Sequence, residues 1–305
     1  MNEPLVFFGT GPVAAKSLEL LSKNFQIETV VTKPKPEHHK GDFPVLTVAE
    51  QLGLPVETVT NKKDLDNLVA KKTLSSKLGV LIDFGIIVSQ QVIDYFPLGI
   101  VNSHFSLLPE WRGADPITFS ILSGQERTGV SLMLLVEAMD EGPILATGMQ
   151  EIAPGITTPE LTQQLINLSD ELLQTTLAGY ASGEYKAIDQ FLIAQQIPNY
   201  PSEPTYSRRL TKEDSILNFN KPAEQLEREI RAFIDWPKSR TAIGDKEVVI
   251  TKAHVVDGEG EPGKIWKDGK QFGFYTTSGI LAIDSLKPAG KQEMPAAAFL
   301  AGYQI

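Results

Sequence analysis

The run Leu78-Gly-Val-Leu-Ile82 narrows the possible folds more than any other stretch of the chain. It is apolar throughout, so it does not suit a strand with one face in water; it predicts a parallel strand covered on both faces. A parallel neighbour is reached only through a crossover, normally a helix, which commits the flanking chain to alternating strands and helices. That alternation is present. Strand Leu5–Phe8 leads through the turn Gly9-Thr10-Gly11-Pro12 into a helix ending at Leu21, with Leu18 and Leu21 three apart on one face. Strand Ile27–Val31, helix Val45–Leu52, strand Val56–Val59, a helix from Asp64 to Leu68 and helix Ser89–Tyr95 follow, before a further strand-like run, Leu98-Gly-Ile-Val101. The pattern predicts an α/β, Rossmann-like, doubly wound and mostly parallel sheet.

The run at Leu98 passes directly into Asn102-Ser-His-Phe-Ser-Leu-Leu-Pro-Glu-Trp-Arg-Gly-Ala-Asp-Pro116. Asn102 and His104 are two apart, so extended chain puts both on one face. Both can aim into the crevice beyond the strand's carboxyl end, where open α/β sheets bind ligands. Asp140, in the turn Asp140-Glu141-Gly142, adds a carboxylate. Amide, imidazole and carboxylate together suit acyl transfer: one polarises a carbonyl, one moves a proton and one orients. The plainer alternatives are that Asn102 and His104 cap a strand end and that Asp140 is an ordinary turn residue.

Asn102-x-His104, Ser106-Leu-Leu-Pro-x-Trp-Arg-Gly113 and Asp140-x-Gly142 together resemble the folate-dependent formyltransferase family, and the resemblance runs over nearly the whole chain. It implies that 10-formyltetrahydrofolate is the formyl-donor substrate, that an amine attacks it directly to give a tetrahedral intermediate, and that no metal takes part. Asn102 would donate to the formyl oxygen. His104 would stabilise the charge there and relay a proton. Asp140 would orient His104 and take up, directly or through water, the proton leaving the amine. Backbone groups of Phe84, Gly85, Ile86 and Ile87 would line the folate site, with Ser106, Leu107, Leu108 and Pro109 packed beside it. Ile230-Arg-Ala-Phe-x-x-Trp236-Pro237 is similar to a signature of the family's tRNA-acting members. The expected acceptor is therefore methionyl-tRNA, the charged initiator tRNA of translation initiation, and the expected working form is a cytoplasmic monomer. A small amine, such as a purine precursor or an amino sugar, is the alternative acceptor. Glu110, where the tRNA-acting members usually carry a basic residue, and the short loop Lys33–Pro44 depart from the tRNA-acting pattern. A non-catalytic nucleotide- or RNA-binding module is the more distant alternative; it leaves the co-occurrence of Asn102, His104 and Asp140 unexplained.

Gly9-x-Gly11-x-x-Ala14 also matches a dinucleotide fingerprint, but strand Ile27–Val31 ends in Thr32-Lys33 where the fingerprint wants an acidic residue, and Pro12 lacks an amide to face phosphate. A tight strand-to-helix turn is the simpler expectation. The adjacent His38 and His39 have no Cys or carboxylate cluster at metal-ligand spacing. The Lys33–Pro44 loop reads either as solvated surface or as a contact for RNA phosphates. With no cysteine, no apolar run long enough for a bilayer and no signal-like start, a reducing cytoplasm is expected. The net charge of −10 opposes indiscriminate nucleic-acid binding and leaves room for a local basic surface, with Arg208, Arg209 and Lys40 as candidates.

A chain of 305 residues suggests about two domains. Residues 1–180 form the expected catalytic domain. It continues after Pro116 with a helix to near Gly124, strand Val130–Val136, its hairpin partner Ile144–Glu151, and a helix capped at Thr158-Pro159-Glu160 with the stripe Leu161, Leu165, Leu168 and Leu172. Residues 181–205, with Gly183, Pro198, Pro201 and Pro204, read as a linker. Residues 206–305 hold a helix, Ala223–Phe233, with Leu226, Ile230 and Phe233 on one face. Strands Thr241–Ile243, Glu247–Ala253, Gly263–Trp266, Gly273–Tyr275 and Ile280–Leu286 follow, fitting a small OB-like β-barrel. In the family that domain helps to hold tRNA; on its own residues it could equally be a brace.

Overall fold

The computed structural model describes residues 3–35 and 43–303. In chain order these form β1 (Leu5–Gly9), α1 (Pro12–Leu21), β2 (Ile27–Thr32), α2 (Pro44–Gln51), β3 (Val56–Thr58), α3 (Lys62–Lys71), β4 (Leu78–Ile82) and α4 (Gln90–Tyr95). Then come β5 (Ile100–His104), β6 (Arg112–Gly113), α5 (Pro116–Ser123), β7 (Arg127–Leu134), β8 (Ile144–Glu151), α6 (Thr158–Ala181), α7 (Gln190–Gln196) and β9 (Tyr206–Ser207). The chain continues with α8 (Ala223–Ala232), β10 (Arg240–Ile243), β11 (Lys246–Val256), β12 (Ile265–Asp268), β13 (Gln271–Tyr275), β14 (Ile280–Pro288), β15 (Met294–Pro295) and α9 (Ala296–Gly302). There are two compact units: Met1–Gly113, Thr128–Glu151 and Thr162–Tyr206 make one, and Ala114–Arg127, Ile152–Leu161 and Ser207–Ile305 the other. Glu37, His38, His39, Lys40 and Asp42 lie outside the described residues, and so does the RNA contact expected of their loop.

The first unit is built on a seven-stranded sheet in the order β3-β2-β1-β4-β5-β7-β8. Strands β1 to β5 pair in parallel and β7 runs antiparallel to β5. The chain winds outward from β1 to β2 and β3, then crosses back to β4 beside β1. That reversal opens the crevice at the carboxyl ends of the strands. As its sequence predicts, β4 is buried at every position. Helices α1 and α2 begin on a proline, which is pre-set for the first helical turn. In α3 and α4 the start is a side-chain cap: Asn61 accepts from the Asp64 amide at 3.1 Å and Ser89 from the Val92 amide at 3.3 Å. Phe8, fully buried, meets Phe84 edge-on with ring centroids 5.6 Å apart.

The glycines of the apparent dinucleotide fingerprint have packing roles. A Cβ on Gly9 would come 2.6 Å from Ala14 Cβ, and one on Gly11 would come 2.0 Å from the Asp83 carboxylate. A carboxylate against the turn repels a phosphate, so the tight-turn reading is the one the structure carries.

Several elements differ from expectation. Strand β5 extends through Asn102 and His104, because β4 and β7 supply ladder partners on both sides: Leu81 pairs with Asn102, Asn102 with Met133, and His104 with Ser131. Residues 181–205 are more than a linker. They contain α7, Ile188 bridges to Ile144, and Ile193 and Tyr200 are buried with Leu107, Leu108, Met133 and Ile144. Prolines broke the periodicity there, yet the apolar side chains between them still found a core. In α6, Thr157 rather than Thr158 bonds Glu160, while the Thr158 hydroxyl donates to the Ala232 carbonyl at 2.8 Å. Leu168 and Leu172 are only half-buried; Ile166, Leu173 and Leu177 take the buried positions as the 3.6-residue period drifts off a regular spacing.

The second unit carries an antiparallel curled sheet, a half-barrel in the order β10-β11-β14-β13-β12 with β15 added to β14. The amphipathic α8 lays Ala223, Leu226 and Ile230 into its core, and Phe233, just past the helix, is buried as well. Strand β15 and α9 were not foreseen; α9 seats the fully buried Phe299 on Phe272, centroids 5.8 Å apart. The segment Ala114–Arg127, with α5, belongs to this unit. Arg228 Nε donates to the Leu122 carbonyl at the end of α5 at 3.3 Å, beside Gly124, whose φ of 77° ends that helix.

Candidate active site

Strand alternation divides β5 between two tasks. Ser103 turns away from the site, its hydroxyl 2.7 Å from that of Ser169 on α6. Asn102 and His104 share the opposite face, each 7% exposed. The imidazole is fixed at Nε2, which lies 2.9 Å from the Trp111 carbonyl. A carbonyl only accepts, so Nε2 carries a hydrogen. Trp111 holds that carbonyl in place from a left-handed backbone, φ 53°, and its own amide donates to Thr205 Oγ1 at 2.9 Å.

Asp140 faces this pair from the turn after β7. Its Oδ2 accepts the Gly113 amide at 2.7 Å. Its Oδ1 lies 3.5 Å from Asn102 Nδ2 and 3.7 Å from His104 Nδ1. With Nε2 protonated, a neutral His104 presents the Nδ1 lone pair to a carboxylate, and two acceptors cannot bond directly. One proton completes the pair, on the ring or on a third group lying between them. Amide, imidazole and carboxylate therefore converge on one place: the two-residue spacing puts Asn102 and His104 on one face, and the turn after β7 brings Asp140 to them. An amine that must shed a proton while a neighbouring carbonyl oxygen gains charge suits this arrangement.

The loop after β4 leaves the sheet beside Asn102, since Leu81 and Asn102 are register partners. It is pinned at three points: the Thr10 amide donates to the Asp83 carbonyl at 3.0 Å, Thr10 Oγ1 to the Phe84 carbonyl at 2.6 Å, and Lys33 Nζ to the Gly85 carbonyl at 3.0 Å. Phe84 is buried, Gly85 sits at φ 65° where a side chain would be strained, Ile86 is half-buried, and Ile87 is 75% exposed. The loop therefore presents backbone groups and one exposed apolar side chain, Ile87. Ser106, Leu107, Leu108 and Pro109 are buried, and their polar groups are already engaged. Ser106 Oγ donates to the Glu110 carbonyl at 2.5 Å, and Ser131 Oγ accepts from the Leu108 amide at 3.0 Å and donates to the Ser106 carbonyl at 2.8 Å. These bonds tie the segment to Ser131 on β7, and Leu107 and Leu108 pack with Met133 and Ile144.

The sequence did not point to Gln190 or to the part Arg112 plays. Gln190 Nε2 donates to the carbonyls of Asp140 and Gly142 at 2.7 and 2.9 Å, and Arg112 joins it to Glu141. A usable signal was Asp189, which caps α7 through the Phe191 amide at 2.9 Å inside the supposed linker. Among the described residues no three His, Cys, Asp or Glu gather as a metal site would need, and no helix is long and apolar enough to cross a membrane.

The chain matches the Formyl transferase family over residues 5–177 and the Formyl transferase C-terminal domain over residues 209–304. The chain belongs to the formyltransferase family. The methionyl-tRNA formyltransferase of Roseiflexus castenholzii is 32% identical to it, over 100% of this chain and 97% of that one. The methionyl-tRNA formyltransferase of Herpetosiphon aurantiacus is 34% identical, over 96% and 95% of the two chains. An N-formyltransferase from Helicobacter canadensis, solved with folinic acid and dTDP-3-aminofucose, shares the fold at a TM-score of 0.68 and 20% identity, covering 96% of this chain and 100% of that one. The chain is thus a formyltransferase enzyme of a folate-dependent family, and β5 with the Asp140 turn lies within residues 5–177, the span matched to the Formyl transferase family.

Proposed function

We propose that this formyltransferase moves the formyl group of 10-formyltetrahydrofolate onto the amino group of methionyl-tRNA. The observation that carries the chemistry is the convergence of Asn102, His104 and Asp140 at the end of β5. Folate enters as a substrate held along the loop after β4, with Phe84 to Ile87 against the pterin and Ser106 to Pro109 packed beside it. Asn102 Nδ2 donates to the formyl oxygen as it gains negative charge. His104, held through Nε2, places Nδ1 where it can donate to that oxygen once protonated. Asp140 Oδ1 faces Nδ1 and takes the proton the amine gives up, directly or through water; as the tetrahedral intermediate collapses, the bond from the formyl carbon to N10 breaks and that proton, relayed through His104, goes to N10, so tetrahydrofolate leaves neutral. The acceptor rests on likeness to the curated relatives, which is end to end, and on the resemblance of Ile230 to Pro237 to a signature of the tRNA-acting members. In this chain Ile230 and Phe233 of that stretch are core residues and Trp236 is exposed. The favoured acceptor is therefore the charged initiator tRNA.

The test is formyl transfer by the full chain from 10-formyltetrahydrofolate to initiator methionyl-tRNA, with a nucleotide-linked amino sugar and an amino-bearing purine precursor as competitors. The expected product is formylmethionyl-tRNA, with neither small amine formylated at a comparable kcat/KM. Efficient formylation of a small amine with none of tRNA would overturn the acceptor and leave the transfer chemistry standing.

A further inference from the structure

We propose that Gln190 is a positioning residue for the reaction: it sets the backbone of the Asp140 turn and so the place of the Asp140 carboxylate. This rests on the reading of Asp140 as a working carboxylate. Gln190 is 2% exposed. Its Nε2 donates to the Asp140 carbonyl at 2.7 Å and the Gly142 carbonyl at 2.9 Å, and its Oε1 accepts from Arg112 Nη2 at 2.9 Å. Carbonyls only accept and a guanidinium only donates, so the amide has a single orientation that satisfies all three partners. Arg112, itself buried, extends the chain through Nη1 to Glu141 Oε1 at 3.0 Å.

The turn needs this support. Asp140 sits at φ 55°, a sparsely populated region for a residue with a side chain. On its far side Gly142 packs so tightly that a Cβ would fall 1.7 Å from the Leu134 carbonyl oxygen. One amide satisfying the carbonyls on either side of Glu141 removes the turn's freedom to flip either peptide, because a flip would leave a buried acceptor without its donor. The Asp140 side chain then leaves the backbone in one direction, onto the Gly113 amide and toward Asn102 and His104. A clamp behind the turn and a carboxylate in front of it make Gln190 act through Asp140, with no contact of its own to the reacting groups.

Two variants of the full chain test this beside Asp140→Asn. Gln190→Met keeps the volume and removes all three bonds. Gln190→Glu keeps an acceptor for Arg112 and turns an oxygen toward the two carbonyls. Both should lower kcat by about 10–10²-fold, the cost of misplacing a group by about an ångström. KM for donor and acceptor and folate binding should change little; the melting temperature should fall by a few degrees, because the two carbonyls and, in Gln190→Met, Arg112 lose a buried partner, so kcat is compared well below it. The Gln190→Glu deficit should shrink as pH falls, because a protonated Glu can again donate to a carbonyl; a purely structural defect would not recover in this way. Combined with Asp140→Asn, Gln190→Met should add nothing further. Wild-type kcat in Gln190→Met with an impaired Asp140→Asn would overturn the positioning role alone. Losses that multiply in the double variant would overturn it as well, since Gln190 would then act independently of Asp140. Wild-type kcat in Asp140→Asn would overturn both this inference and the reading beneath it.

Discussion

Asn102 offers a neutral N–H donor at a site otherwise supplied with an imidazole and a carboxylate. Its amide is 3.5 Å from Asp140 Oδ1, at the outer limit of a hydrogen bond, so it is free to turn to a stronger acceptor. The formyl oxygen becomes such an acceptor only as charge builds on it. Asn102→Ala should therefore lower kcat by about 10²–10³-fold, the usual cost of one oxyanion donor, with folate affinity nearly unchanged. Steady-state kinetics alongside equilibrium folate binding checks this; a parallel loss in both would make Asn102 a binding residue. The types and spacing of Asn102, His104 and Asp140 were legible in the sequence, because strand periodicity alone puts the first two on one face. The Nε2 contact to Trp111 and the Gly113 amide on Asp140 were not, because each depends on a left-handed turn that no local pattern announces.

The turn after β7 and the opening of the second unit show how much an element depends on a single side chain. Gly142→Ala places a methyl group against the Leu134 carbonyl, and backbone cannot yield cheaply. Overpacking of this kind costs about 1–3 kcal/mol, and the displaced turn carries Asp140, so the melting temperature and kcat should fall together. At the start of the second unit, Arg208 forks onto Asp214 at 2.8 and 2.5 Å, and its hydrogen bonds hold that carboxyl well below the usual range. A carboxylate depressed in the folded state adds stability above its unfolded value, and that stability is lost as pH falls toward the folded value. The melting-temperature gap between wild type and Arg208→Ala should be widest above about pH 5 and narrow steadily in acid. A gap independent of pH would assign Arg208's effect to its stacking over Phe119, 5.9 Å from the ring. Strands β1 to β4 were read from sequence within one residue, because buried runs advertise themselves, whereas β5 runs three residues past its expected end because its polar residues hide the ladder. Helix α7 was missed, because Pro198, Pro201 and Pro204 mark a break while Ile193 and Tyr200, too few to set a period, still find a core.

For the whole molecule the central tension is between a net charge of −10 and the polyanionic acceptor proposed for it. Arg208 is committed to Asp214, which leaves the exposed Arg209 the better probe of the two adjacent arginines. Binding of charged initiator tRNA should weaken as salt rises, since each phosphate contact releases counterions, while folate affinity stays nearly level. Arg209→Glu should weaken tRNA binding at fixed salt; unchanged tRNA affinity would move the RNA contact elsewhere. Binding brings the acceptor to the protein; the transfer itself is assigned to the end of β5. The most direct measurement is the single-turnover rate of formyl transfer to methionyl-tRNA at saturating formyl-folate, for wild type and for His104→Ala matched in melting temperature and folate binding. The predicted result is a fall of about 10²–10⁴-fold, the range for losing a proton-transfer group. Equal rates in the two proteins would remove His104, and with it the site at the end of β5, from the reaction.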